Sequence, residues 1–487
     1  MDIKDLQPAL VFSIFEDITK IPRPSKKEEK IRQYLLDFAK KHNLESKTDK
    51  AGNVMILAPA TKGYENAPTV VLQGHMDMVC ESNDKSFDFT TQPIPAVVDG
   101  DWVRTEGTTL GADNGIGVAA SLAALIDDSY VHGPIEAFFT VDEETGMTGA
   151  FNVGNDMITG NILLNLDSED DGEIFVGCAG GVDTVCTFNY SRSFAPVDFL
   201  YFRISLEGLL GGHSGGDIHL GRANANKLLA RFLFNLQSKY EIAIAEIDGG
   251  NLRNAIPRAA HAVIGVHTAN KEKVRVMLNE FIAAVENEYK GLETGMKITM
   301  ESVDKPDFVL DQTTTVNLVR ALYAAPHGVM SMSRELEDLV ETSTNLASVK
   351  MRPENTIEVV TSQRSSVESR KWDIAMQIEA LFLLAGAKVT HGEGYPGWAP
   401  NMDSPIMHVA REAYKELFGV EPAIKAIHAG LECGLFLTKF PHLDMVSFGP
   451  TLRDVHSPSE RMLIPTVQKF WDHLKLTLTK VAEASKK

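Results

Sequence analysis

Val70-Val71-Leu72-Gln73-Gly74-His75-Met76-Asp77 decides how the rest of the chain is read. The apolar, β-branched run from Thr69 to Leu72 predicts a buried strand. Gly74 ends the run, and His75 and Asp77 follow at once. In open α/β sheets, ligands bind just beyond the carboxyl ends of the strands. An imidazole with a carboxylate two residues on suits a metal ligand with a partner for its second ring nitrogen. A solvated loop histidine beside an acid would read the same way in isolation. What separates the two is repetition, because apolar runs ending in ligand-type side chains recur along the chain.

Ile135–Val141 is a second such run, followed directly by Asp142-Glu143-Glu144-Thr145-Gly146. Ile162–Leu166 is a third, followed by Asp167. Leu443–Phe448 is a fourth, with His456 a few residues beyond it. Between the first and second runs lies Gly111-Ala112-Asp113-Asn114-Gly115, just before an Ala/Leu-rich helix from Val118 to Ile126. Asp113 at that point would serve equally as a helix cap. Strands alternating with helices predict an α/β domain with a mainly parallel sheet flanked by helices. Three acidic sites on one rim repel each other and raise each other's pKa. A bound cation removes that repulsion.

The chain has 487 residues, enough for two or three domains. A net charge of -19 argues against a nucleic-acid partner, whose phosphates need Lys and Arg. No stretch approaches the ~18 apolar residues of a membrane span, and the first residues show no secretory leader pattern. The four cysteines, Cys80, Cys178, Cys186 and Cys433, form no Cys-x-x-Cys pair. They read as reduced thiols, which places the protein in the cytoplasm.

From about Gly180 the pattern changes. Leu200–Leu206, a helix near Ala223–Leu236, Ile242–Ile247, Ala260–Val266, a helix at Lys273–Tyr289 and Lys297–Val303 give β-α-β-β-α-β. That is a split βαβ sandwich with an antiparallel sheet. The segment Thr314–His391 repeats part of the order, which suggests an internal duplication. Turn formers at Glu393–Pro400 mark a boundary. The expected architecture is one domain of residues 1–186 and 396–487, with an α+β domain of residues 187–395 inserted into it.

His75, Asp113, Glu144, Asp167 and His456 form the candidate ligand set. Two imidazoles and three carboxylates suit zinc, or cobalt or manganese with less preference. Five ligands are too many for one open catalytic zinc, which keeps three. If Asp113 bridges, one ion takes His75, Asp113 and Asp167, and the other takes Asp113, Glu144 and His456. A shared water completes the pair. Glu143 then points away from the ions and suits a general base and acid. Asp77 would orient His75. In the inserted domain, His213 in Gly211-Gly212-His213-Ser214-Gly215-Gly216 could donate to a developing oxyanion. Arg364 could hold a substrate carboxylate, and Asn254 could add a hydrogen bond. Loop histidines are more often merely solvated, and Arg370 and Arg253 compete with Arg364.

Together, Gly74-His75-Met76-Asp77, Gly-Ala-Asp113-Asn-Gly, Asp-Glu143-Glu144-Thr-Gly, Asn-Leu-Asp167 and His456-Ser-Pro-Ser-Glu460 resemble the co-catalytic di-zinc exopeptidases. That family includes carnosinases, peptidase T, glutamate carboxypeptidases and acetylornithine-type deacylases. The resemblance spans nearly the whole chain. It implies a di-metal catalytic domain, an inserted lid, two divalent ions per subunit and a homodimer formed through the lid. It also implies a cis peptide after the bridging Asp, here between Asp113 and Asn114. Leu166-Asp-Ser-Glu-Asp-Asp-Gly-Glu173 and His428-Ala-Gly-Leu-Glu-Cys-Gly434 are most similar to members that split Xaa-His dipeptides such as carnosine. The implied activity is dipeptide hydrolysis by a metal-bridged hydroxide, with Glu143 as base and then acid and His213 steadying the oxyanion. His213, Asn254 and Arg364 match lid positions that grip the substrate. The alternatives are a tripeptide aminopeptidase or an N-acyl amino acid deacylase on the same site. An inactive metal-binding scaffold is remote, because Glu143 is present.

Overall fold

Val70–His75 forms the strand that its apolar run predicts, and all six residues are buried. The computed structural model describes residues 2–486. In it this strand lies inside an eight-stranded sheet. Its neighbours are Ile135–Thr140 on one side and Ile162–Asn165 on the other, both parallel to it. Asp444–Ser447, from the far end of the chain, pairs in parallel with Ile162–Asn165. These four strands are the parallel heart of the sheet. Antiparallel strands flank them, Val54–Ala58 beyond Ile135–Thr140 and Glu173–Cys178 beyond Asp444–Ser447. A parallel heart buried on both faces needs continuous apolar runs rather than alternation, as Ile135–Thr140 shows with every residue buried.

Helix Ala112–Ala124 is buried along its whole length. Its small residues let it lie close to the strand ends. A Cβ at Gly117 would drive into the carbonyl oxygen of Leu166, and a Cβ at Gly74 would drive into the side-chain oxygen of Asn114. Helical geometry begins at Ala112, earlier than Val118, but Asp113 and Asn114 have non-helical backbone angles. The Asp113–Asn114 peptide is cis. A small four-stranded sheet joins Trp102–Arg104 to Arg461–Leu463, and Arg461–Leu463 to Leu452–Arg453. It holds the loop that carries His456.

The chain divides into two units. The first runs to Cys178 and adds Trp398–Ala426 and the stretch from Leu431 onward; the second is Ala179–Gly397 with Ile427–Gly430. The expected boundary at residues 186 and 187 falls inside a continuous strand, Gly180–Asn189. The strand starts at the glycine pair, and buried and half-buried residues alternate along it from Val182.

The second unit carries a nine-stranded sheet whose strand pairs are antiparallel. Phe199–Glu207, Ile242–Gly249, Ala260–His267 and Lys297–Val303 stand in the spatial order fourth, first, third, second. Gly180–Asn189, Val340–Arg352, Thr356–Ser365 and Lys388–His391 repeat that order. The two sets meet through their second strands, Asp248 opposite Lys350 and Gly249 opposite Val349. The duplication is therefore one of topology, with one copy inserted after the first strand of the other. Helices Ala225–Gln237, Lys271–Glu288, Gln312–Ala324 and Glu368–Leu384 share one apolar core with these strands.

Among the described residues no helix is long and apolar enough to cross a membrane. All four cysteines are free.

Gly117→Ala is expected to lower stability by about 1–3 kcal/mol, because its methyl meets the Leu166 carbonyl oxygen, which is backbone, as well as the Asn114 amide. The check is the midpoint of urea unfolding followed by tryptophan fluorescence.

Candidate metal centre

Four loops at the carboxyl edge of the parallel strands bring the ligand-type side chains together. His75 is the last residue of its strand. Glu143 and Glu144 begin a single helical turn three residues after Ile135–Thr140, and Asp167 follows Ile162–Asn165 by two. Asp142, at φ 53°, turns the chain sharply before the two glutamates.

Asp113 stands between the two imidazoles. Its Oδ1 is 3.0 Å from His75 Nε2, and its Oδ2 is 3.0 Å from His456 Nε2. His75 Nε2 is also 3.3 Å from Asp167 Oδ1, and His456 Nε2 is 3.1 Å from Glu144 Oε2. Two triads result, His75–Asp113–Asp167 and Asp113–Glu144–His456, each with its ligand atoms within 4.8 Å of one another. Asp113 is common to both, as the sequence reading expects of a bridge.

Protons on the two imidazoles supply the positive charge of this cluster where no cation does. Burial pushes the Asp113 carboxyl up, but the hydrogen bonds of His456 and His75 outweigh it and hold it well below the usual carboxylate range. Hydrogen bonds to Asp113 and Glu144 raise His456 to about 11. Burial pulls His75 down, yet Asp167, Asp113 and Asp77 hold it well above its ordinary value. Burial lifts Asp167 to about 7. Glu144 Oε1 and Asp167 Oδ1 are buried acceptors with no hydrogen-bond partner. Orphaned buried oxygens are costly, and a divalent cation in each triad would satisfy them. The donor set of nitrogens and carboxylates fits such ions.

Asp77 is fully buried and holds the surroundings of His75. Its Oδ1 lies 3.4 Å from His75 Nδ1, near enough to hold the ring electrostatically although not aligned as a hydrogen bond. The same carboxylate accepts from the backbone N–H of Glu143 at 3.1 Å, from that of Glu144 at 3.3 Å and from Ser25 Oγ at 2.7 Å. One side chain thus ties His75 to the turn bearing both glutamates. Glu143 is absent from both triads that share Asp113, but its carboxylate forms a third such group with His75 and Glu144, so it lies against the centre rather than away from it. Burial, with Asp167, Glu432 and Glu144 adding repulsion, raises its carboxyl well above the usual range.

Three buried residues support the cluster and were not singled out from the sequence. Glu460 is 2% exposed. It accepts from the backbone N–H groups of Leu110, Gly111, Ala112 and Asp113 at 2.7–3.4 Å. It thereby ties the His456 loop to the Asp113 turn. Arg23, in the stretch read only as a helix linker, donates to the carbonyls of Met76, Asp77 and Gly111. Glu432 lies within charge–charge range of His75 and Asp167, and burial raises it to about 7. The spacing His456-Ser-Pro-Ser-Glu460 was the one available signal for Glu460.

The second unit holds the other candidates. His213 Nδ1 accepts from the backbone N–H groups of Gly215 at 3.3 Å and Gly216 at 3.0 Å. Its proton therefore sits on Nε2. Burial, with Arg364 nearby, lowers His213 to about 4 and keeps it neutral. Arg364 is buried in Thr356–Ser365 and donates to the Tyr395 hydroxyl at 2.8 Å. His213 and Arg364 both pack around Gly215. Asn254 is exposed, and its carbonyl accepts from the Ser214 N–H at 2.8 Å. Arg370 pairs with Glu341 and Arg253 with Asp183, so neither rivals Arg364 beside His213.

Comparison with known proteins agrees with this geometry. Residues 71–480 match the model of peptidase family M20/M25/M40. The cytosol non-specific dipeptidase of Escherichia coli (strain K12) is 42% identical over 471 residues, covering 96% of this chain and 97% of that protein. The crystal structure of aminoacylhistidine dipeptidase from Vibrio alginolyticus superposes with a TM-score of 0.90 at 43% identity, covering 99% of this chain and 98% of the other. A tripeptidase from Staphylococcus aureus shares the fold, with a TM-score of 0.58 at 16% identity and 98% and 99% of the two chains covered. The chain belongs to peptidase family M20/M25/M40, and with it to the metal-dependent hydrolases of peptide bonds.

Proposed function

We propose that this protein is a cytoplasmic di-metal dipeptidase acting on unblocked dipeptides, Xaa-His dipeptides such as carnosine among the favoured ones. The observation that carries the reading is Asp113, whose two oxygens face two imidazoles, each imidazole with a further carboxylate beside it. The relatives named as dipeptidases support the substrate class. Their names diverge on specificity, one non-specific and one for aminoacylhistidine, so His at the second position is the finer part of the proposal.

His75, Asp113 and Asp167 would hold one cation, and Asp113, Glu144 and His456 the other, with zinc the best match and cobalt or manganese acceptable. When bound, such ions polarise the scissile carbonyl and make a water acidic at neutral pH. Asp77 keeps His75 and the Glu143–Glu144 turn in register. Glu143 takes the proton of the attacking water and passes it to the leaving amine, a role that suits a carboxylate whose affinity for protons is raised. His213 donates its Nε2–H to the carbonyl oxygen as negative charge develops there. Arg364 grips the terminal carboxylate of the dipeptide with its planar fork, and Asn254 adds a hydrogen bond. The second unit serves as the lid and pairs two copies into a homodimer.

Glu143→Ala should keep two ions per subunit, read by elemental analysis, and lose turnover of a dipeptide panel by about 10²–10⁴-fold. Near wild-type hydrolysis by that variant would overturn the mechanism. The same panel, run with tripeptides and N-acyl amino acids, tests the substrate class.

Metal binding should be proton-linked. His456 is raised to about 11 and is charged at neutral pH in the metal-free protein. An ion binds only the neutral ring, so loading must expel that proton. Affinity should therefore fall as pH falls, by about tenfold per pH unit for each proton expelled. Chelator competition at two pH values, with an indicator dye to count released protons, measures it.

A further inference from the structure

Glu432 begins the helix Glu432–Lys439 and is 1% exposed. A buried carboxylate is tolerated only with partners. Its Oε2 accepts from Gln73 Nε2 at 2.6 Å and from Thr140 Oγ1 at 2.7 Å. Its Oε1 has no hydrogen-bond partner. Gln73 sits two residues before His75, and Thr140 three residues before Glu143.

The chain of hydrogen bonds continues beyond Gln73. Because the Gln73 amide nitrogen faces Glu432, its oxygen faces the next strand and accepts from Asn165 Nδ2 at 2.6 Å. The Asn165 oxygen is then turned to accept from Ser447 Oγ, which bonds Ser168 Oγ at 2.7 Å. Asn165 precedes Asp167 by two residues, and Ser168 follows it directly. Thr140, Gln73, Asn165 and Ser447 are fully buried, and each comes from a different strand of the parallel heart. An Asn or Gln amide can flip end for end at little cost unless its partners forbid it. Here Glu432 Oε2 stands at the head of the chain and accepts from two donors at once. It sets the direction of every bond after it.

We propose that Glu432 is a positioning residue for the metal centre: the acceptor that fixes the direction of a buried hydrogen-bond chain and so holds the strand ends presenting His75, Glu143 and Asp167. The inference rests on the di-metal reading above. It predicts an effect on geometry at the ions and little on the binding of substrate. Groups that orient metal ligands from behind are worth about 10–100-fold in affinity or activity.

The experiment compares wild type, Glu432→Leu and Glu432→Gln for kcat, KM, thermal midpoint and metal dissociation constant. Leucine removes the acceptor and keeps the volume, whereas glutamine restores one acceptor oxygen. The expected result for Glu432→Leu is a kcat lower by about 30-fold and weaker metal binding by about tenfold, with KM within about threefold and a thermal midpoint lowered by a few degrees, because two buried donors lose their acceptor. Glu432→Gln should recover most of both losses. A Glu432→Leu variant with wild-type kcat and metal affinity overturns the proposal, as does a Glu432→Gln variant impaired as badly as the leucine one. Should Glu432→Leu fail to fold, Gln73→Met breaks the chain while leaving Glu432 its bond from Thr140. A kcat loss at constant KM in that variant supports the role, and wild-type kcat overturns it. If wild type hydrolyses no dipeptide, the di-metal peptidase reading fails on its own, while zinc affinity measured by calorimetry still decides the role of Glu432.

Discussion

The structure depends on one carboxylate held between two imidazoles. Asp113 is buried, and burial alone would favour its neutral form. It stays ionised because His75 and His456 each approach one of its oxygens to 3.0 Å. Those imidazoles in turn lean on Asp167 and Glu144. In the metal-free protein, protons on the rings supply the positive charge. The same positions suit cations, since each ring nitrogen and the oxygens beside it face a common point. Protons on the rings thus offset the charge of the carboxylates gathered around them. The supporting residues obey the same constraint. Arg23 is a permanent cation under the Asp113 turn, and Glu460 is held by four backbone N–H groups rather than by a countercharge.

Much of this was legible in the sequence because the ligands obey a local rule. Three of the five follow apolar runs, and the parallel strands place their ends on one edge. His75, Glu144 and Asp167 could be found that way. Asp113 could be found by its place before a small-residue helix, and His456 only by its distance past the last strand. Ligand counting gave the two groups around Asp113, and the family resemblance added the cis peptide at Asp113–Asn114. Arg23, Glu432 and Glu460 were not legible, for a common physical reason. Arg23 and Glu460 bind backbone, and Glu432 binds an amide and a hydroxyl, so no periodicity or pairing of residue types announces them. Glu460 reaches Leu110 across 350 positions of the chain and Glu432 reaches Gln73 across 359.

The inserted unit taught a different lesson. The helix and strand order of its first copy was plain from periodicity. Its second copy was harder, because its first strand, Gly180–Asn189, lies on the far side of the first copy in sequence. A boundary drawn where composition changes cuts that strand. Local wording, such as the dipeptides Asn251-Leu252 and Asn345-Leu346, is no guide to the repeat either. Leu346 is fully buried in Val340–Arg352, while Leu252 is 63% exposed in a loop. What repeats is the order of strands in the sheet, and sheet order is a property of pairing rather than of wording.

The closeness of His213 and Arg364 follows from that pairing. Arg364 stands opposite Gly181 across two strands, and a Cβ at Gly181 would meet the Tyr395 ring that reaches over to the guanidinium. A glycine there is what lets the tyrosine lie flat enough to hold the arginine. His213, for its part, spends its Nδ1 lone pair on two successive glycine N–H groups. Its remaining nitrogen must then be a donor. The neighbouring guanidinium disfavours a second proton on the ring, and burial does so more strongly. The imidazole is left neutral, with a donor face that does not change through neutral pH. A fixed, uncharged donor beside a fixed cation is a suitable pair for a peptide carbonyl and a carboxylate, two acceptors that differ by one full charge.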